Sequence, residues 1–185
     1  MREIKFRGKD YKTGKWIYGN LIQSDLNHPQ TFISTFYPCA SSLTCQQLTA
    51  NLMVMIDIKT VGQFTGLYDS TKWEQLSEQE QSEWISNRKK PSDWIGREIY
   101  EGDILSFDGN ITADDSLGIE PNGYVYDEDS IHLVVWDNEI GGWSLAFEKN
   151  AEWKYKHHTH GLMTGGIAIV IGNIYDNPEL LKVNQ

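Results

Sequence analysis

The stretch Thr60-Val-Gly-Gln-Phe-Thr-Gly-Leu67, completed by Gly96-Arg-Glu-Ile-Tyr-Glu-Gly-Asp-Ile-Leu105, constrains the fold of this chain more than any other. Val61, Phe64 and Leu67 bring apolar side chains, and Gly62 and Gly66 supply backbone freedom. Gly102-Asp103 reads as a tight turn that launches a strand at Ile104. The two segments can pair as neighbouring strands only if everything between them leaves and returns at one end of a sheet. Such an excursion costs little, because loop closure grows only logarithmically with length.

The rest of the chain supports a strand-rich reading. Seven Trp, nine Tyr and six Phe in 185 residues favour strands and supply large buried areas. A chain of this size buries roughly 70% of its unfolded surface, so neither a metal nor a disulfide is needed for stability. Ile4 and Phe6 alternate with charged residues as a half-buried strand does, Lys12 to Lys15 reads as a turn, and Trp16 and Tyr18 share one face of the returning strand. Arg2, Lys5, Arg7, Lys9, Lys12 and Lys15 are read as outward charges of this hairpin. Thr31 to Tyr37 predicts a strand, and Leu52 to Ile58 a buried one. Ile131 to Trp136 and Trp143 to Phe147 predict a hairpin, and Ile167 to Ile171 a further buried strand. Asn177 and Pro178 are placed to open a final helical turn.

Between Thr71 and Lys90 the texture changes to Glu, Gln, Ser and Lys, with Trp73, Leu76, Trp84 and Ile85 as the apolar members. Ser77 and Glu80 fit a capping box, Pro91 is a stop, and a helix is predicted from about 78 to 88. Arg88, Lys89 and Lys90 then satisfy the helix dipole or touch a phosphate or an acidic partner; the first reading is favoured. Trp84 and Trp94 need cover, from the sheet or from another subunit.

Charge is unevenly spread. The net charge is −10, yet Glu98 to Glu148 holds 13 acidic residues and no Lys or Arg, while the remainder is mildly basic. No secretory h-region and no run of 18 apolar residues is seen. The expected setting is therefore the cytoplasm, with Cys39 and Cys45 reduced.

Several chemical motifs are present in outline and fail in detail. Gly142-Trp-Ser-Leu-Ala146 lacks the strand–turn–helix setting of a nucleophile elbow, so Ser144 is read as a strand residue. Gly161 to Gly166 lacks the Lys-Ser/Thr ending of a phosphate loop. His157, His158 and His160 have no Cys-x-x-Cys beside them for a closed zinc site. The loop from Asp108 to Glu120 has Ala113 and Ile119 where a calcium loop needs Gly and Glu.

Five segments in order carry a resemblance: Arg2 to Gly8, Trp16 to Gly19, Thr60 to Leu67, Glu98 to Ile104 and Val170 to Leu181. Together they resemble the YopX family of phage and prophage proteins. The resemblance implies a mainly β protein of phage origin, and it brings no catalytic residues. Tyr68 to Arg97 stands where the family commonly has a short turn.

The expected architecture is mainly β, a bent sheet or SH3-like barrel with an adjoining N-terminal β subdomain and one inserted helix. Its parts are a β subdomain over 1–67, a helical insertion over 68–95 and a barrel-like subdomain over 96–185, forming one compact whole. The expected role is that of a non-enzymatic interaction protein, a homo-oligomer with an unidentified protein partner and no cofactor. Trp16, Tyr18, Trp84, Trp94, Arg88 and Lys89 are the candidate contact residues. The alternative is a nucleic-acid accessory protein using the basic N-terminal hairpin; overall acidity counts against it.

Overall fold

The computed structural model describes residues 3–24, 30–35, 53–107, 131–139, 141–149, 152–156 and 168–182, with backbone alone at 107, 147–149, 152–156 and 182. The expectations for Cys39, Cys45, the loop from Asp108 to Glu120, Tyr124 to Tyr126, the histidines from His157 to His160 and Gly161 to Gly166 lie outside these residues. The chain divides into two compact units, Met1–Gly66 and Leu67–Gln185.

In the first unit, β1 (Phe6–Lys9), β2 (Trp16–Gln23), β3 (Thr31–Ser34) and β4 (Met53–Met55) pair antiparallel in the order β4-β3-β2-β1, and β5 (Gly62–Tyr68) adds to β1. The β1–β2 turn is built by Asp10, whose carboxylate accepts the Lys12 N–H at 2.9 Å and the Thr13 hydroxyl at 2.6 Å. The Thr13 hydroxyl and the Lys12 amide hold that carboxyl below its usual range.

Two expectations for this unit are corrected. Ile4 is exposed and Arg7 is buried, so the hairpin's charges do not all point outward. The run from Leu52 to Ile58 is not one buried strand. β4 is short and half-buried, and Ile58–Thr60 forms a 3-10 turn with Ile58 58% exposed. Asp57 ends the strand, because its side chain accepts the Lys59 N–H at 3.0 Å and caps the turn instead.

In the second unit, β6 (Glu98–Tyr100) is the hydrogen-bonded neighbour of β5, and just beyond β5 the Asp69 N–H donates to the Arg97 carbonyl at 2.8 Å. The two Gly-punctuated segments are strand neighbours. Strands β7 (Asp103–Phe107), β8 (Ile131–Asp137), β9 (Gly142–Lys149), β10 (Glu152–Lys156) and β11 (Ala168–Asn173) form an antiparallel sheet ordered β10-β9-β8-β7-β11. Among the described residues this order is open, so of the two expected forms the sheet is seen and the SH3-like barrel is not. The β8–β9 hairpin pairs Trp136 with Trp143 and Asp137 with Gly142.

This sheet is covered on both faces. Ile99, Leu105, Val134, Trp143, Leu145 and Ala168 form one cluster, with Leu67 and Val170 against it. Ile104, Leu133 and Ala146 form the other, closed by Ile174, Leu180 and Leu181 around the 3-10 turn Pro178–Lys182. Burial on both sides is why Ile104 and Leu105 are adjacent apolar residues without alternation. Ile171 on the edge strand β11 is partly exposed, so the predicted buried run from Ile167 is buried only in part, at Ala168.

Candidate interaction site

The segment between β5 and β6 is tied down at its root by one carboxylate. Asp69 is 3% exposed. Its Oδ1 accepts the Thr71 N–H at 3.0 Å and the Arg97 N–H at 2.7 Å. Its Oδ2 accepts the Thr71 hydroxyl at 2.7 Å and the Val170 N–H at 3.0 Å. The carboxylate thus joins the outgoing chain, the returning chain and strand β11. Gly96 permits the return, with φ +117° and its Cα packed on the Asp69 backbone.

Outward from this root, Trp73–Gln75 forms a 3-10 turn closed by the Lys72 N–H on Gln75 Oε1 at 2.7 Å. Helix α1 (Glu78–Ser86) starts at the expected capping box, with the Glu80 N–H on Ser77 Oγ at 3.3 Å and the Ser77 N–H on Glu80 Oε2 at 2.9 Å. It stops two residues before the expected end. Asn87 is the C-cap and Arg88 turns left-handed at φ 59°, its N–H donating to the Ile85 carbonyl at 2.9 Å. A second 3-10 turn, Pro91–Asp93, leads to Trp94.

Three tryptophans close on one another here. Trp84 and Trp94 lie edge to face at 4.9 Å, and Trp73 and Trp94 at 6.3 Å. Trp94 Nε1 donates to the Thr71 carbonyl at 2.7 Å, and Trp84 Nε1 to the Lys90 carbonyl at 2.8 Å. The Lys89 ammonium sits 4.1 Å from the Trp84 ring centre, a cation–π contact. Beside them is an open cleft of about 580 Å³ walled by Tyr68, Thr71, Lys72, Trp73, Trp94 and Ile95. Ile95 is 64% exposed at its rim.

Glu80 connects helix and root. Arg97 donates to its Oε1 from Nε at 3.1 Å and from Nη2 at 3.0 Å, and from Nη1 to Thr71 Oγ1 at 3.1 Å. Partial burial pushes the Glu80 carboxyl up, but the hydrogen bonds from the Ser77 hydroxyl and amide and from Arg97 outweigh this and hold it below its usual range. A depressed folded-state value means stability that is full above the ordinary glutamate range and lost as pH falls through the lowered value. Glu80→Gln is therefore expected to flatten the acid limb of the stability profile below about pH 4.5 and to lower stability at neutral pH. Urea titrations at several pH values check this; an unchanged acid limb would count against it.

Of the sequence-predicted residues, the structure brings Trp84, Trp94 and Lys89 together and leaves Arg88 exposed at the helix end. The two tryptophans gain cover from each other and from Trp73. Trp16 and Tyr18 lie in the first unit, against a row of cations. Arg7 is 4.7 Å from the Trp16 ring centre, Lys9 is 5.4 Å from it, and Lys5 is 5.8 Å from that of Tyr18. Ser144 is fully buried within β9, opposite Val135, as a strand residue. Sequence reasoning did not single out Asp69, Thr71, Ile95 or Arg97 as site residues. The Asp69-Ser-Thr71 spacing is a local Asx signal, but the partners of Asp69 in β11 and before β6 leave no local trace.

The remaining motif residues are occupied structurally. The Tyr100 N–H donates to Asp103 Oδ2 at 2.7 Å, and the Tyr100 hydroxyl to Glu98 Oε2 at 2.6 Å. Asn173 Oδ1 accepts the N–H groups of Tyr175 and Asp176, both at 3.0 Å. The two turns meet where the Ile174 N–H donates to the Gly102 carbonyl at 2.9 Å, and Tyr175 packs close against Gly102. Residues 92–182 match the family described as YopX protein. This part of the chain is a YopX domain. The matched span takes in β6 to β11 and both interlocked turns, and begins at the end of the Trp-bearing segment. Much of the YopX motif thus builds hydrogen-bonded turns. No curated protein matches the chain. Among the described residues, no helix is long and apolar enough to cross a membrane.

Proposed function

We propose that this is a non-enzymatic interaction protein of phage or prophage origin, working in the bacterial cytoplasm. It self-associates through the Trp73–Trp94–Ile95 face and presents the assembly to a further protein partner. The observation that carries this reading is Ile95, largely exposed beside the half-buried indoles of Trp73 and Trp94, the second of which is held by its hydrogen bond to the Thr71 carbonyl. Rigid aromatic anchors beside an exposed aliphatic residue are what protein contacts use.

Charge favours the same face. Residues 67–185 carry 22 acidic and nine basic residues, so this unit repels its counterpart in a second copy. Within this unit residues 68–97 hold six acidic against five basic and are nearly neutral, so like units meet there with least repulsion. Ile95→Asp is the test, because an exposed site tolerates the change without unfolding. Wild type is expected to sediment as an oligomer and Ile95→Asp as a monomer with unchanged circular dichroism. A monomeric wild type, or an oligomer indifferent to Ile95→Asp, would remove this reading.

A further inference from the structure

The first unit carries a second surface of different chemistry. Met1–Gly66 holds seven basic and four acidic residues, against nine and 22 in the remainder, so the basic character of an acidic chain is gathered in one compact unit. Within it Arg7 and Lys9 share one face of β1 with Trp16 and Tyr18 opposite them on β2, and Lys5, just before β1, reaches the Tyr18 ring on the same side. The opposite face holds Gly8, packed on Ile33 and Ile56, which are buried.

The arrangement is graded. Arg7 is 7% exposed, with its guanidinium 4.7 Å from the Trp16 ring centre, so it supports the indole from within. Lys5 and Lys9 flank it and are half-buried, while Tyr18 is 43% exposed. Trp16 and Tyr18 are two residues apart on one strand, which separates their rings by about 7 Å. That is about twice the 3.4 Å rise per nucleotide of a duplex strand. Neighbouring bases can reach both rings only if they are unstacked from each other, as in a single strand.

From this we infer that the Lys5–Arg7–Lys9 and Trp16–Tyr18 face binds single-stranded nucleic acid, the rings taking bases and the lysines taking phosphates. Base stacking on aromatics is tolerant of sequence, and the flanking cations make binding salt-dependent. The inference is independent of the self-association face and survives its loss.

The experiment is fluorescence anisotropy of a labelled oligothymidylate titrated with the full chain. Saturable binding is expected at low salt, weakening about tenfold between about 50 and 200 mM salt for two to three neutralised phosphates. Tyr18→Ala is expected to weaken it at least about fivefold. Lys9→Gln is expected to reduce the slope of log affinity against log salt by about 0.7. Ile95→Asp is expected to leave intrinsic per-chain binding unchanged. Circular dichroism of Tyr18→Ala confirms that this exposed site leaves the fold intact. Absence of saturable binding at the lowest salt overturns the inference. So does affinity indifferent to both hairpin variants, or a duplex of the same length that binds as tightly.

Discussion

Asp69→Ala is expected to destabilise the second unit by about 3–5 kcal/mol, since it leaves three backbone N–H groups without their acceptor at a buried position. Those groups belong to Thr71, Arg97 and Val170, and the Thr71 hydroxyl loses its partner as well. The replacement removes the atoms that join β11 to both ends of the Trp-bearing segment. Asp69→Asn keeps an oxygen for Thr71 and Arg97 and turns an amide toward Val170, so it is expected to cost about half as much. Urea denaturation gives the size of the loss. Amide hydrogen exchange at Arg97 and Val170 gives its location, since both are expected to lose protection before the β8–β9 hairpin does. A loss below about 1 kcal/mol, or unchanged protection at Val170, would show that the carboxylate is not what ties these elements.

Gly96→Ala is the second large effect, expected at about 3 kcal/mol or more. A Cβ at this position would stand 2.0 Å from the Asp69 carbonyl oxygen, and the backbone φ of +117° is one that side chains rarely adopt. The atom in the way is main chain, so relief requires β5 and the return strand to separate. That separation also strains the hydrogen bonds to Asp69, so the Gly96→Ala and Asp69→Ala losses are expected to be less than additive. Thermal melts of the two single variants and the double variant check both statements. A Gly96→Ala protein melting with wild type would mean that the chain does not return to β6 by this close approach.

The sequence features that read correctly are local ones. Ser77 and Glu80 marked the helix start because a capping box is closed over three residues, and its four groups do meet. The β8–β9 hairpin was legible because strand alternation and a Gly-Gly turn are both short-range signals. Misreadings came where one side chain chose between two local structures. Asp57 caps a 3-10 turn instead of continuing a strand, and Arg7 lies under Trp16 instead of facing water. Alternation alone says which residues share a face and not which face is covered.

By itself the sequence determined a mainly β chain with a capped helix between two Gly-punctuated strands, and a YopX-like set of turns at its far end. These follow from period, turn chemistry and capping, which act within a few residues. Only the tertiary structure decided that Asp69 would be the root of the inserted segment, that Trp73, Trp84 and Trp94 would cover one another, and that the cations of β1 would lie against the rings of β2. The Asp69 bonds reach across 28 residues to Arg97 and 101 to Val170. A carboxylate does not advertise in its neighbours which distant amides it will accept; packing of the whole sheet places them.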